Sequence, residues 1–111
     1  MKKIAVPVSN EKLDSHFGHC NQFYIFDIEN DKIVNEARLT PPPHEPGLLP
    51  KWLGEQAVTD IIAGGIGLRA IDLFKMNKIN VYVGAPKNTP RDIIESHING
   101  TLPLRANYCD H

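Results

Sequence analysis

Two hydrophobic periods alternate along this chain, and each change of period marks an element. Residues 3–8, Lys-Ile-Ala-Val-Pro-Val, are almost continuously apolar and β-branched, which predicts a strand buried on both faces. Pro7 has no N–H, so it belongs near the end of that strand or opposite a gap in the ladder. Gln22–Ile28 is aromatic and β-branched, Glu29-Asn30-Asp31 supplies turn chemistry, and Lys32–Leu39 alternates Ile33, Asn35, Ala37 and Leu39 against Val34, Glu36 and Arg38. These two segments read as a hairpin. Helical spacing takes over at Leu48, Leu49, Trp52 and Leu53, with Pro50 in the first turn, and predicts a short helix to about Val58.

Asp60–Ala63 is a brief buried strand, after which Gly64-Gly65-Ile66-Gly67 turns the chain into a helix with Ile66, Ala70, Leu73 and Phe74 as its apolar face. Ile79–Val83 is another strand. The last helix carries its own boundary signals: Thr89 as N-cap, Pro90 at the first helical position, Asp92 near the positive end and Gly100 just past the finish. Ile93, Ile94 and Ile98 pack it.

Three strands followed by helix, strand, helix, strand, helix predict a single-domain α/β fold. Its sheet is mixed and five-stranded, an antiparallel hairpin plus parallel βα units, with about three helices. With the first strand pointing up, four connections gather at the upper sheet edge: residues 9–21, 40–47, 64–67 and 84–89. Ligands of open α/β sheets bind at such an edge, outside the carboxyl ends of the parallel strands. Residues 1–100 make the domain and residues 101–111 a tail ending Cys109-Asp110-His111. At about 3.3 Å per residue, the stretch from Gly100 to Cys109 can cover the height of a short strand and return.

Composition changes this picture little. A chain of 111 residues, 41% hydrophobic and 23% charged, is one ordinary globular domain. A formal charge of -1 argues against nucleic-acid partners, which call for a basic face. No apolar run approaches the roughly 20 residues of a membrane helix, and the start is too short and interrupted for a signal peptide. The expectation is a cytoplasmic protein without membrane partners, whose two cysteines are thiols or ligands and not a disulfide framework.

The candidate chemistry lies in the upper connections. Ser15-His16-Phe17-Gly18-His19-Cys20 carries three soft or borderline metal ligands, and Thr40-Pro41-Pro42-Pro43-His44-Glu45-Pro46-Gly47 adds a fourth. Imidazole and thiolate bind zinc, iron and copper, the thiolate favouring softer ions and iron-sulfur clusters. His16, His19 and His44 are the leading ligands for a single transition-metal ion or a cluster, with Cys20, Cys109 and His111 second. Spacing alone leaves open that these are surface residues hydrogen-bonding their neighbours, since no Cys-x-x-Cys pair is present. Phe17 reads as a core plug, and His97 as a helix C-terminal residue favoured by the dipole. Gly64, Gly65, Ile66 and Gly67 could present N–H groups to an anion, with Arg69 nearby, or could simply make a tight turn.

A sheet of this order resembles the ribonuclease H-like fold, whose nuclease chemistry needs clustered carboxylates. None lies between Lys3 and Ser9, and Asp27 and Asp60 fall at the lower edge, so phosphoryl transfer ranks low. No acyl-transfer constellation is present either. A metal-free regulatory or interaction domain, with Trp52 and the proline loop as contact residues, is the other alternative.

Three stretches carry a family resemblance: Ser15-His16-Phe17-Gly18 with Phe23, Asp60 to Gly67 with Ala70, and Ile79 to Ala85. They are similar, in order, to the small proteins of dinitrogenase iron-molybdenum cofactor biosynthesis, related to NifX and the tail domain of NifB. The resemblance implies a ribonuclease H-like fold without enzymatic activity. It also implies a role in binding, carrying or protecting an iron-sulfur or iron-molybdenum type cofactor or its precursor, with a cluster donor or recipient protein as partner. Imidazole and thiolate would ligate such a cluster while helix-start N–H groups, Arg69 and Lys87 offset its negative charge.

Overall fold

The structure is a computed structural model that describes residues 2–13, 21–42, 48–104 and 106–108. Seven strands and three helices appear in the order β1 Lys2–Ser9, β2 Lys12–Leu13, β3 Gln22–Glu29, β4 Lys32–Leu39, α1 Leu48–Glu55, β5 Asp60–Ala63, α2 Leu68–Met76, β6 Asn80–Val83, α3 Pro90–Asn99 and β7 Ala106–Tyr108. They form one mixed sheet, ordered β4-β3-β1-β5-β6-β7, with β2 paired to β1. The five expected strands are all present in it. Two short ones are additional: β2 is too brief to show a period, and β7 lies in the tail.

The β1–β3 and β3–β4 pairs are antiparallel, while β1, β5 and β6 run parallel. The parallel register of β1 with β5 is Ile4↔Asp60 and Ala5↔Ile61, and that of β1 with β2 is Val8↔Leu13 and Ser9↔Lys12. Pro7 therefore falls between the two pairings, the gap its missing N–H calls for. The turn into β2 places Asn10 and Glu11 at φ 54° and 65°, a left-handed pair that reverses the strand at once.

Side chains alternate across the sheet and make two cores. On one face Ala5, Phe23, Ile25, Ile61 and Val81 pack against Leu49 and Leu53 of α1 and Ile71 and Phe74 of α2. On the other, Ile4, Val6, Phe26 and Ile62 pack against Ile93 and Ile94 of α3. The result is a three-layer α/β/α arrangement. Of the apolar face expected for α2, Phe74 is buried and Ile66 and Ala70 pack against the core, while Ile71 joins them and Leu73 stays partly exposed. Helix α1 stops at Glu55 and not Val58, its end marked by Ala57 at φ 64°.

Helix α3 keeps its sequence boundaries. Thr89 accepts a 3.4 Å hydrogen bond from the Asp92 N–H, Pro90 opens the helix, and Gly100 closes it at φ 74°. Replacing Thr89 by Ala should lower stability by about 1 kcal/mol or less, read as a urea midpoint shift at unchanged slope.

His97 departs from expectation. Its ring lies edge-on to Tyr82, with centroids 4.9 Å apart. Burial, reinforced by the Lys2 charge and opposed by Asp60, lowers its pKa from the ordinary 6.5. Desolvation outweighs the helix dipole. A base whose folded pKa is depressed is neutral in the fold but protonates when unfolded, so its stabilising contribution is present above the unfolded pKa and is lost as pH falls below it. Thermal midpoints should decline between about pH 7.5 and pH 5.5, and His97→Asn should flatten that decline.

Candidate functional site: the upper rim of the sheet

The registers settle which loops share an edge. At the upper end Val8 opposes Gln22, Phe23 opposes Leu39, and Val83 opposes Ala63. Consequently β1, β4, β5 and β6 all deliver their connections to the same rim, as the strand directions predicted. The Leu13 N–H donates to the Asn88 carbonyl at 2.8 Å, and the Gly84 N–H to the Gly64 carbonyl at 3.0 Å. The Asn21 N–H donates to the Val8 carbonyl at 2.9 Å. These bonds tie the connections around residues 9–21, 64–67 and 84–89 to one another through backbone atoms alone.

Val8 is flanked on one side by Leu13 and on the other by Gln22. The chain before and after residues 14–20 thus stands on opposite sides of the end of β1, two strand spacings or roughly 10 Å apart. Thr40 follows Leu39 on the strand next to Gln22, and leads toward α1. The neighbourhood of α1 is fixed by Trp52, whose ring meets Phe23 at 5.9 Å between centroids. That contact anchors one side of Trp52 on the core, while the residue stays only partly buried.

His16, His19, Cys20, His44, Cys109 and His111, with Phe17, lie outside the described residues. Among the described residues no group of three or more His, Cys, Asp or Glu side chains could hold a metal ion. The chain positions flanking residues 14–20 and 43–47 are described: Leu13 of β2 and Gln22 of β3 stand on either side of Val8, Leu39 ends β4 next to β3, and Leu48 opens α1. The tail is directed otherwise. Strand β7 pairs antiparallel with β6, Ala106 opposite Val83 and Tyr108 opposite Val81, so it runs from the upper rim toward the lower edge.

Gly64 to Gly67 sit at the rim between β5 and α2. The connection after β5 leads to the α1/α2 face and that after β6 to the α3 face, so neighbouring strands diverge here. Gly67 caps α2 at φ −67°, ψ 152° without a side-chain hydrogen bond. Arg69, in the first turn of α2, and Lys87, in the connection between β6 and α3, are exposed. All three helices begin at this rim, α1 and α2 on one face of the sheet and α3 on the other, so the positive ends of their dipoles lie along the same edge. Two acids stand at the other end of the sheet: Asp27 opposes Lys3, and Asp60, wholly buried, opposes Ile4, both toward the lower edge.

One rim feature escaped sequence reasoning. A cavity of about 450 Å³ opens on the α3 side, lined by Val8, Asn10, Glu11, Asn21, Gln22, Tyr24, Arg38 and Thr40. The Arg38 guanidinium lies 4.6 Å above the Tyr24 ring centroid. The alternation of Lys32–Leu39 had put Arg38 opposite Ile33 and Leu39, but nothing in it identified the aromatic partner across the hairpin.

Fold and rim together define a class, a small three-layer α/β binding module with its loops gathered at the carboxyl ends of parallel strands. The family model described as dinitrogenase iron-molybdenum cofactor matches residues 1–100, and the chain belongs to that family. It is 36% identical over 87 residues to an uncharacterised protein of Methanocaldococcus jannaschii, covering 74% of each chain. Its fold superposes on the crystal structure of PH0822 with a TM-score of 0.86 at 28% identity, covering 93% of this chain and 94% of that one. The apo form of the orange protein from Desulfovibrio gigas gives a TM-score of 0.77 at 18% identity, with 99% and 98% covered, a likeness of fold. Family members are carriers or scaffolds and not enzymes, and this chain has a non-catalytic role of that kind in metal-sulfur cofactor biosynthesis. No helix among the described residues is long and apolar enough to cross a membrane.

Proposed function

We propose that this protein carries an anionic metal-sulfur cluster, of iron-sulfur or molybdenum-containing type, as cargo at its upper rim. The observation that carries the reading is the placement of chain ends at one rim: residues 14–20, which bring His16, His19 and Cys20, run between β2 and β3 on the two sides of β1, and residues 43–47, which bring His44, run between β4, the neighbour of β3, and α1. Imidazole and thiolate are the donor set for such a cluster. Three helix N-termini and the exposed Arg69 and Lys87 suit its negative charge. Gly64, Gly65, Ile66 and Gly67 let the cargo approach backbone N–H groups closely. Cys109 and His111 of the tail stand second.

Residues 1–100 are the cofactor-binding domain on this reading, and residues 101–111 its tail. We place the fold among ribonuclease H-like folds on its five principal strands, whose spatial order is third, second, first, fourth, fifth with the second antiparallel. The carrier works in the cytoplasm between a donor and a recipient protein, which exchange the cluster at the exposed rim.

Protein isolated anaerobically and reconstituted with iron and sulfide, or with tetrathiomolybdate, should retain metal through desalting. Metal analysis that finds none after either treatment removes the reading.

A further inference from the structure

The cavity on the α3 side of the rim is bordered by residues from both sides of the candidate ligand segments. Asn10 and Glu11 precede residues 14–20, Asn21 and Gln22 follow them, and Thr40 precedes residues 43–47. Its floor is sheet. Val6 opposes Tyr24, Tyr24 opposes Arg38, and Val8 opposes Gln22, so these side chains form two rows on one face. Lower down that face Glu36 draws in Arg91 of α3 at 3.7 Å, and Ile93 and Ile94 pack there. The upper rows form the floor of a tray.

The tray is rich in hydrogen-bonding groups and holds one cation fixed in place. Arg38 is stacked on Tyr24 and touches Glu36 at 3.6 Å, a long single contact, while its side chain stays 58% exposed. Glu36 is shared with Arg91, and it does not line the cavity. A guanidinium held over a ring keeps N–H groups at its edge to donate, which suits an anion with several acceptor atoms. The amide groups of Asn10, Asn21 and Gln22 and the Thr40 hydroxyl can complete such contacts. The opposing charge is Glu11, which sits on the exposed turn.

We infer that this tray receives the anionic ligand shell of the cargo, with Arg38 as its counter-charge and the flanking amides as donors. The inference rests on the carrier reading above and assigns the charge recognition to a place outside the histidine and cysteine segments. Sulfur and oxygen acceptors share this chemistry, and the probes separate them.

The test is a titration of the whole chain with tetrathiomolybdate and with inorganic phosphate, followed by side-chain NMR of Arg38, Asn21 and Gln22. Saturable shifts with either anion are expected, and the anion that binds tells sulfur from oxygen ligands. Arg38→Gln should weaken binding by about tenfold, the loss of one charge-assisted hydrogen-bonding group. Glu11→Gln should tighten it, since a like charge is removed; a tray built for a cation would respond with the opposite sign. Both positions are exposed, so unchanged circular dichroism will show that the variants fold. Binding unaffected by Arg38→Gln, or weakened by Glu11→Gln, overturns the inference. Loss of metal retention on replacing the histidines, with the titration unmoved by Arg38, would leave the carrier reading standing and remove the tray alone.

Discussion

Replacing His16 and His44 together should lower metal retention after anaerobic reconstitution by at least about tenfold, equivalent to some 1.4 kcal/mol of binding. The two residues sit in different segments, one between β2 and β3 and the other between β4 and α1. Single replacements should cost less, because His19 and Cys20 lie close to His16 in the chain and can supply a donor in its place. The double change removes the leading donor from each side of the site at once. His97→Asn is the matching control, since its ring packs on Tyr82 in the last turn of α3, at the far end of that helix from the rim. Its metal content should equal that of the unaltered chain. Unchanged occupancy in the double variant would show that the histidines hold nothing in common, whatever the family has in view.

The fold was legible because its signals are local and agree with one another. Unbroken apolar runs specified β1 and β5, alternation specified β4, and the Thr89-Pro90 start with Gly100 at the end specified α3 within a residue. The shared rim was legible too, since strand directions follow from a hairpin and right-handed crossovers once the element order is known. What the sequence did not display depends on contacts between distant residues. Strand β7 forms only because Ala106–Tyr108 meets the free edge of β6, and two or three residues carry no period of their own. The depressed pKa of His97 arises from burial beside Tyr82 and from Lys2, at the other end of the chain. The stacking of Arg38 on Tyr24 is a cross-strand pair, and its register is set by the whole hairpin with its irregularity between Asp27 and Ile28. Candidate ligands were visible as residue types, and the structure adds where the chain beside them is anchored.

The largest stability effect is expected at Asp60, the only buried polar or charged residue among those described. Its carboxyl accepts 2.7 Å from the Thr59 hydroxyl and 2.9 Å from the Asn80 side-chain amide. Thr59 in turn accepts from the Lys3 N–H at 2.9 Å, and its own N–H donates to the Lys3 carbonyl at 2.8 Å. One residue therefore joins the lower ends of β1, β5 and β6. Asp60→Ala strips two donors of their acceptor and opens a small void, a loss of about 3 kcal/mol. For a domain of this size that is a fall of roughly 10–20 °C in thermal midpoint. Asp60→Asn keeps the shape and one acceptor and should lose less than half as much. The consequence reaches the rim, because β5 has only four residues and its register against β1 rests on two pairs. A slip of one residue would turn every side chain of β5 to the other face and displace Gly64 to Gly67 from beside residues 84–88. Asp60→Ala protein, assayed well below its new midpoint, should thus show weakened amide protection at Gly84 and Ala85 in hydrogen exchange, while amides in the β3–β4 hairpin stay protected. Uniform loss of protection would mean that Asp60 supports global stability without a particular hold on register.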